Sequence, residues 1–82
     1  MTGFYHIKDG MSVCYNKLWK LLIEKDMKKT DLRIKAGIST GALAKLGKNE
    51  NVNTEILVKI CSVLDCGIAD IMDIVDKTEE NK

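Results

Sequence analysis

Lys29-Thr30-Asp31-Leu32-Arg33-Ile34-Lys35-Ala36-Gly37-Ile38-Ser39-Thr40-Gly41-Ala42-Leu43-Ala44-Lys45-Leu46 is the stretch that decides the fold of this 82-residue chain. Leu32 and Ala36 stand i, i+4 and share one face, while Lys29, Arg33 and Lys35 share the other, which predicts a short helix over residues 28–36. Gly37 follows where a left-handed residue is wanted to end a helix. Ile38 plugs the turn, and Ser39 is a favourable N-cap for a helix over residues 40–46. That third helix turns Ala42, Leu43 and Leu46 inward and Thr40, Gly41, Ala44 and Lys45 outward.

The flanking segments extend the pattern. Tyr15, Leu18, Trp19, Leu22 and Ile23 recur at i, i+3, i+4, i+7, i+8 and predict a first helix with Asn16 as its N-cap and Trp19 as a core anchor. After a loop over residues 47–51, Asn53 or Thr54 caps a fourth helix carrying Leu57, Ile60, Cys61 and Leu64 on one face, which Ile56 and Val63 widen. Gly67 breaks the chain, and Ile68, Ile71, Met72 and Val75 predict a short fifth helix with Asp70, Asp73 and Asp76 on its other side. The expected fold is thus all-α, a compact five-helix domain over residues 13–76, followed by a polar tail over residues 77–82. Residues 1–12 form an extension with two open readings. Phe4-Tyr5-His6-Ile7 and Val13-Cys14-Tyr15 flank Asp9-Gly10, a pair favoured in tight hairpins; equally, Met11 is the start and the preceding residues a dispensable arm. An exposed hairpin edge would invite pairing with another subunit.

Composition bounds the function. Thirteen basic residues nearly cancel 12 acidic ones, and 45% of residues are apolar, as in an ordinary folded domain. The cancellation hides an asymmetry. Residues 12–50 carry nine basic against four acidic side chains, whereas residues 51–82 carry three against seven. The first segment is therefore basic by about +5 and the second acidic by about −4, a split that marks a basic working face. No apolar run reaches the roughly 18 residues of a membrane span, and no signal-peptide core opens the chain, so a cytoplasmic address is expected. Cys14, Cys61 and Cys66 are odd in number and sit among apolar residues, as small core side chains do. They make no Cys-x-x-Cys pair and have a lone His6 for company, so neither a metal nor any other cofactor is expected. A catalytic set and a phosphate-binding glycine loop are also missing from the sequence, which argues against an enzyme.

Two short helices joined through Gly37 form a helix-turn-helix. The run from Lys29 to Leu46, with Leu32, the small Ala36, Gly37-Ile38-Ser39, Leu43 and Leu46, resembles the phage Cro and repressor-like, or XRE, family of DNA-binding regulators. The likeness spans about residues 13–75. It implies a compact lambda-repressor-like domain whose third helix enters the major groove, with bases read from Thr40, Gly41, Ala44 and Lys45. It also implies a phosphate contact at Lys29. Lys28, Lys48 and Asn49 flank the same unit and join Ser39 as phosphate candidates. Lys45 is able to donate to guanine O6 or N7, and Thr40 to bond a base or offer its methyl to thymine. Gly41 contributes no side chain there and weakens its helix by up to about 1 kcal/mol, so direct readout is expected to be sparse. Lys28 occupies the cap position of the second helix, where Ser or Thr is usual, and Thr30 is the alternative cap.

The resulting expectation is a cytoplasmic transcriptional regulator, a repressor, that binds double-stranded DNA as a homodimer. Its dimer surface is expected in helices four and five, through Ile56, Val63, Ile68 or Ile74, or in the N-terminal extension. A different class of function competes: an antitoxin or protein-interaction module whose acidic C-terminal half, Asp65 to Glu80, holds a basic protein partner. A thiol sensor built on Cys61 and Cys66 is the weakest alternative, since the two lie five residues apart, off the i, i+4 register.

Overall fold

The computed structural model describes residues 10–76. Within them the order is β1 (Met11–Cys14), α1 (Asn16–Glu24), α2 (Lys29–Ala36), α3 (Thr40–Gly47), α4 (Thr54–Leu64), a 3-10 turn (Ile68–Asp70) and β2 (Asp73–Asp76). Each helix contributes one apolar stripe to a single core, in which Tyr15, Leu18, Leu22, Leu32, Leu46, Ile60, Leu64 and Ile71 are almost fully buried. α2 packs on both α3 and α4, and the 3-10 turn packs against α1 and α4. This leaves the outward faces of α2 and α3 uncovered.

The expected fifth helix is not formed, and the all-α expectation is corrected to a mostly helical domain with four helices and a two-stranded sheet. Ile68–Asp70 makes a single 3-10 turn, started by the Asp70 carboxylate accepting from the Gly67 N–H at 3.0 Å. The chain then extends, and β2 pairs antiparallel with β1 in the register Met11↔Asp76, Ser12↔Val75, Val13↔Ile74 and Cys14↔Asp73. Over so few residues the apolar spacing fits either period, and the β-branched Ile74 and Val75 suit a pleated ladder better than a helix. Pairing with β1 then decides, because a backbone bonded to a second strand satisfies groups that a one-turn helix would leave open. Val13 and Cys14 therefore find their partners some 60 residues away, whereas Phe4 to Ile7, their expected hairpin partner, lies outside the described residues. His6 and the tail over residues 77–82 lie outside them too.

Smaller corrections follow from packing. Tyr15, not Asn16, takes the cap position of α1, without a side-chain cap bond. The Tyr15 ring turns into the core instead. Ile23, placed on the buried stripe by its spacing, is 79% exposed because it lies one step round the helix from Leu22, outside the stripe that Leu18 and Leu22 bury, and Trp19 and Leu43 are half-buried. Lys17 fastens the C-terminal arm to α1: its Nζ donates to the Ala69 carbonyl at 3.0 Å and pairs with Asp73 Oδ1 at 3.0 Å. α4 ends at a left-handed Asp65 (φ +55°), where the Cys66 N–H donates to the Cys61 carbonyl at 3.1 Å. Such a terminus brings the side chains at those two positions together. Burial pushes the Cys66 thiol up, and the neighbouring Cys61 pushes it further.

Candidate nucleic-acid interface

The turn between α2 and α3 is built by local chemistry. Gly37 adopts φ +68° and its N–H donates to the Ile34 carbonyl at 3.2 Å, while the Ile38 N–H reaches the Arg33 carbonyl at 3.1 Å. This double closure needs a left-handed residue, which glycine supplies without strain. Ile38 is buried under the turn. Ser39 then starts α3, its Oγ accepting from the Ala42 N–H at 3.0 Å. The first two N–H groups of α3, of Thr40 and Gly41, are left for solvent or for a phosphate, and the helix dipole favours an anion there.

Thr40, Gly41, Ala44 and Lys45 are all exposed on α3, opposite the buried Ala42 and Leu46. They form one continuous outer face, with Ser39, Gly41 and Lys45 beside a shallow groove shared with Val52, Asn53 and Ile56 of the α4 entry. The place of Asn53 beside α3 was not legible in the sequence, where it reads only as a helix cap. It is indeed a cap, its Oδ1 accepting from the Ile56 N–H at 3.1 Å.

α2 begins after Lys28, whose N–H donates to the Asp31 carboxylate at 3.2 Å. The lysine side chain has no acceptor, so Asp31 alone does the capping, and Thr30 is not needed for it. The Lys28 and Lys29 side chains are exposed, and the Lys29 ammonium lies 4.4 Å from the centroid of the Trp19 ring. On the far side of α3, Lys48 is exposed and its N–H closes the helix on the Ala44 and Lys45 carbonyls.

Asn49 is more committed than the sequence suggested. It is left-handed (φ +56°), its N–H donates to the Leu46 carbonyl at 3.2 Å, and its Oδ1 accepts from the Tyr15 N–H at 3.0 Å. The side-chain amide nitrogen is the donor it retains for other partners. The Tyr15 hydroxyl adds a second tie by donating to the Glu50 carbonyl at 2.9 Å. The loop after α3 is thus tethered to the start of α1. Burial raises the Tyr15 phenol above its ordinary value.

Of the expected dimer residues, Ile56 and Val63 are half-buried against the core, whereas Ile68 and Ile74 are 41% and 58% exposed. Met11 and Val58 are comparably exposed and had no signal in the periodicity. Among the described residues no helix is long and apolar enough to cross a membrane, and no three His, Cys, Asp or Glu side chains gather as metal ligands would.

Comparison with known proteins agrees with this geometry. The family model of the Cro/C1-type HTH DNA-binding domain matches residues 17–77. The chain is also similar to a crystal structure of the transcriptional regulator VanUg, with 49% sequence identity and a TM-score of 0.82, over 89% of this chain and 97% of that one. No match was found among curated proteins.

Proposed function

The chain belongs to the Cro/C1-type helix-turn-helix family of DNA-binding domains, and from that premise we propose that it is a cytoplasmic transcriptional repressor that grips duplex DNA as a homodimer. α3 of each subunit enters the major groove, which admits a helix of this width. The observation that carries this reading is the continuous exposed face of Thr40, Gly41, Ala44 and Lys45 over a helix whose opposite side is locked into the core. Lys45 and Thr40 supply base contacts. Gly41 and Ala44 allow close approach. Lys28, Lys29 and Lys48, the Ser39 hydroxyl and the Asn49 amide hold phosphates to either side.

The likeness to VanUg, which is a transcriptional regulator, supports regulation of transcription as the outcome. Two-fold pairing would match an operator with half-sites about 10 bp apart or a multiple of a helical turn. Residues 13–76 act as the DNA-binding unit. The exposed Ile68 and Ile74, both distant in sequence from α2 and α3, are the dimer anchors best supported by their exposure. Fluorescence anisotropy with a random duplex at two salt concentrations tests the DNA face. Lys29→Ala and Lys45→Ala should each weaken binding and flatten the salt dependence by about one phosphate contact where the residue meets a phosphate. Unchanged affinity in both variants at low salt would put the face elsewhere.

A further inference from the structure

The Trp19 ring is a half-buried surface element with a cation resting on it. It lines a shallow apolar groove with Leu22, Ile23 and Met27, at whose rim stand Lys28, Lys29 and Thr30. One face of the indole meets the Lys29 ammonium 4.4 Å from its centroid, which leaves that face unavailable for stacking on a base. We propose that Trp19 is a positioning residue for DNA binding, a shelf that holds the Lys29 ammonium at the phosphate-facing end of α2. This rests on the reading of Lys29 as a phosphate ligand.

The chemistry favours a shelf over a trap. An aromatic face attracts a cation through its quadrupole and occupies only the side of the ammonium turned toward it, so the N–H donors turned away from the ring remain available to phosphate oxygens. A free lysine loses much rotamer freedom when it fixes on a phosphate; one already confined by the ring loses less. Trp19 is anchored against the core from α1, and Lys29 opens α2, so the shelf also fixes the ammonium relative to the helix-turn-helix frame.

The test is a double-mutant cycle on the full chain, read as affinity for a random duplex at low salt, with each variant's thermal midpoint measured alongside. Lys29→Ala should weaken binding several-fold. Trp19→Leu should weaken it about two- to five-fold, the equivalent of an exposed cation–π pair, and cause no further loss in the Lys29→Ala background. Trp19→Phe, which keeps a π face, should bind within about twofold of the parent chain. If Trp19→Leu does not fold, Trp19→Met replaces it, keeping an apolar side chain without a π face. Equal losses from the Trp19 change in both backgrounds, or tighter binding without the ring, overturn the shelf while leaving Lys29 a phosphate ligand. An unchanged affinity in Lys29→Ala overturns both.

Discussion

Gly37 and Gly41 stand four residues apart in one motif, and adding a methyl group at each should move stability in opposite directions. At Gly37 a Cβ would meet nothing within 4 Å, so crowding is not the obstacle; φ +68° is. An L-residue held in that region costs about 1–2 kcal/mol. At Gly41 the backbone is helical and a Cβ would find only Ser39 Oγ at 3.8 Å, an ordinary contact. Alanine there recovers about 0.5–1 kcal/mol of the entropy that glycine loses on entering a helix. In a domain of this size 1 kcal/mol corresponds to roughly 4–8 °C in Tm. Thermal unfolding by circular dichroism should therefore show Gly37→Ala melting at least about 4 °C below the parent chain and Gly41→Ala about 2–8 °C above it. Both should keep their helical signal. Duplex affinity separates the two further: Gly41→Ala, although more stable, should bind DNA no better, because its methyl stands on the face assigned to the groove. A Gly37→Ala variant as stable as the parent, or a Gly41→Ala variant that melts lower, would refute the backbone reasoning.

Other consequences are equally open to measurement. Ser39→Ala removes the acceptor for the Ala42 N–H and should cost about 1 kcal/mol in chemical denaturation. Tyr15→Phe forfeits the hydroxyl bond to the Glu50 carbonyl, also about 1 kcal/mol, and should loosen the loop carrying Lys48 and Asn49. The same variant changes the pH profile. Because burial raises the phenol's pKa, the folded chain keeps that proton longer than the unfolded one; the contribution is complete below the ordinary value of 10.0 and is lost as pH rises through the folded value. The parent chain should thus lose stability above about pH 10 by an increment that Tyr15→Phe lacks. Cys66, with its thiol pushed up, should alkylate more slowly near pH 8 than an unhindered cysteine; a faster rate would contradict the burial that causes the shift.

Much of the architecture was legible because helices α1 to α4 carry their apolar residues at a period their neighbours reinforce. Leu32 with Ala36, and Leu57 with Ile60 and Leu64, are buried as their spacing predicts, and Gly37, Ser39 and Asn53 stand at the termini their chemistry favours. The C-terminal arm was not legible. Ile68, Ile71, Met72 and Val75 satisfy the helical spacing, and nothing local reveals that Met11–Cys14 offers a ladder to Asp73–Asp76. Side-chain commitments across the fold were hidden for the same reason. Asn49 reads as a loop amide until Tyr15, 34 residues earlier, claims its oxygen, and Trp19 reads as a core anchor until α2 places Lys29 over its exposed face. Local pattern recovers faces and termini; contacts between distant segments need the assembled core.

The charge division gains its meaning in the same way. Nine of the 13 basic residues lie in residues 12–50 and an acidic excess in residues 51–82, but Lys17, Lys20 and Lys25 of α1 stand beside Asp65, Asp70 and Asp73. The basic excess left to draw a duplex is that of α2, α3 and their flanks, where Lys28, Lys29, Arg33, Lys35, Lys45 and Lys48 face Asp31 alone. With little net charge to help, binding by one subunit should be modest and strongly salt-dependent, which is the physical case for a second subunit.

The claim that α3 meets the DNA is tested most directly by titrating a short duplex into uniformly 15N-labelled protein and following each backbone amide. The account predicts that the largest shift changes fall on residues 28–30, 39–45 and 48–49, with Thr40 and Gly41 among the strongest because their N–H groups open the helix. Changes concentrated instead on the outer face of α4 and on β2, with the amides of α3 undisturbed, would contradict it.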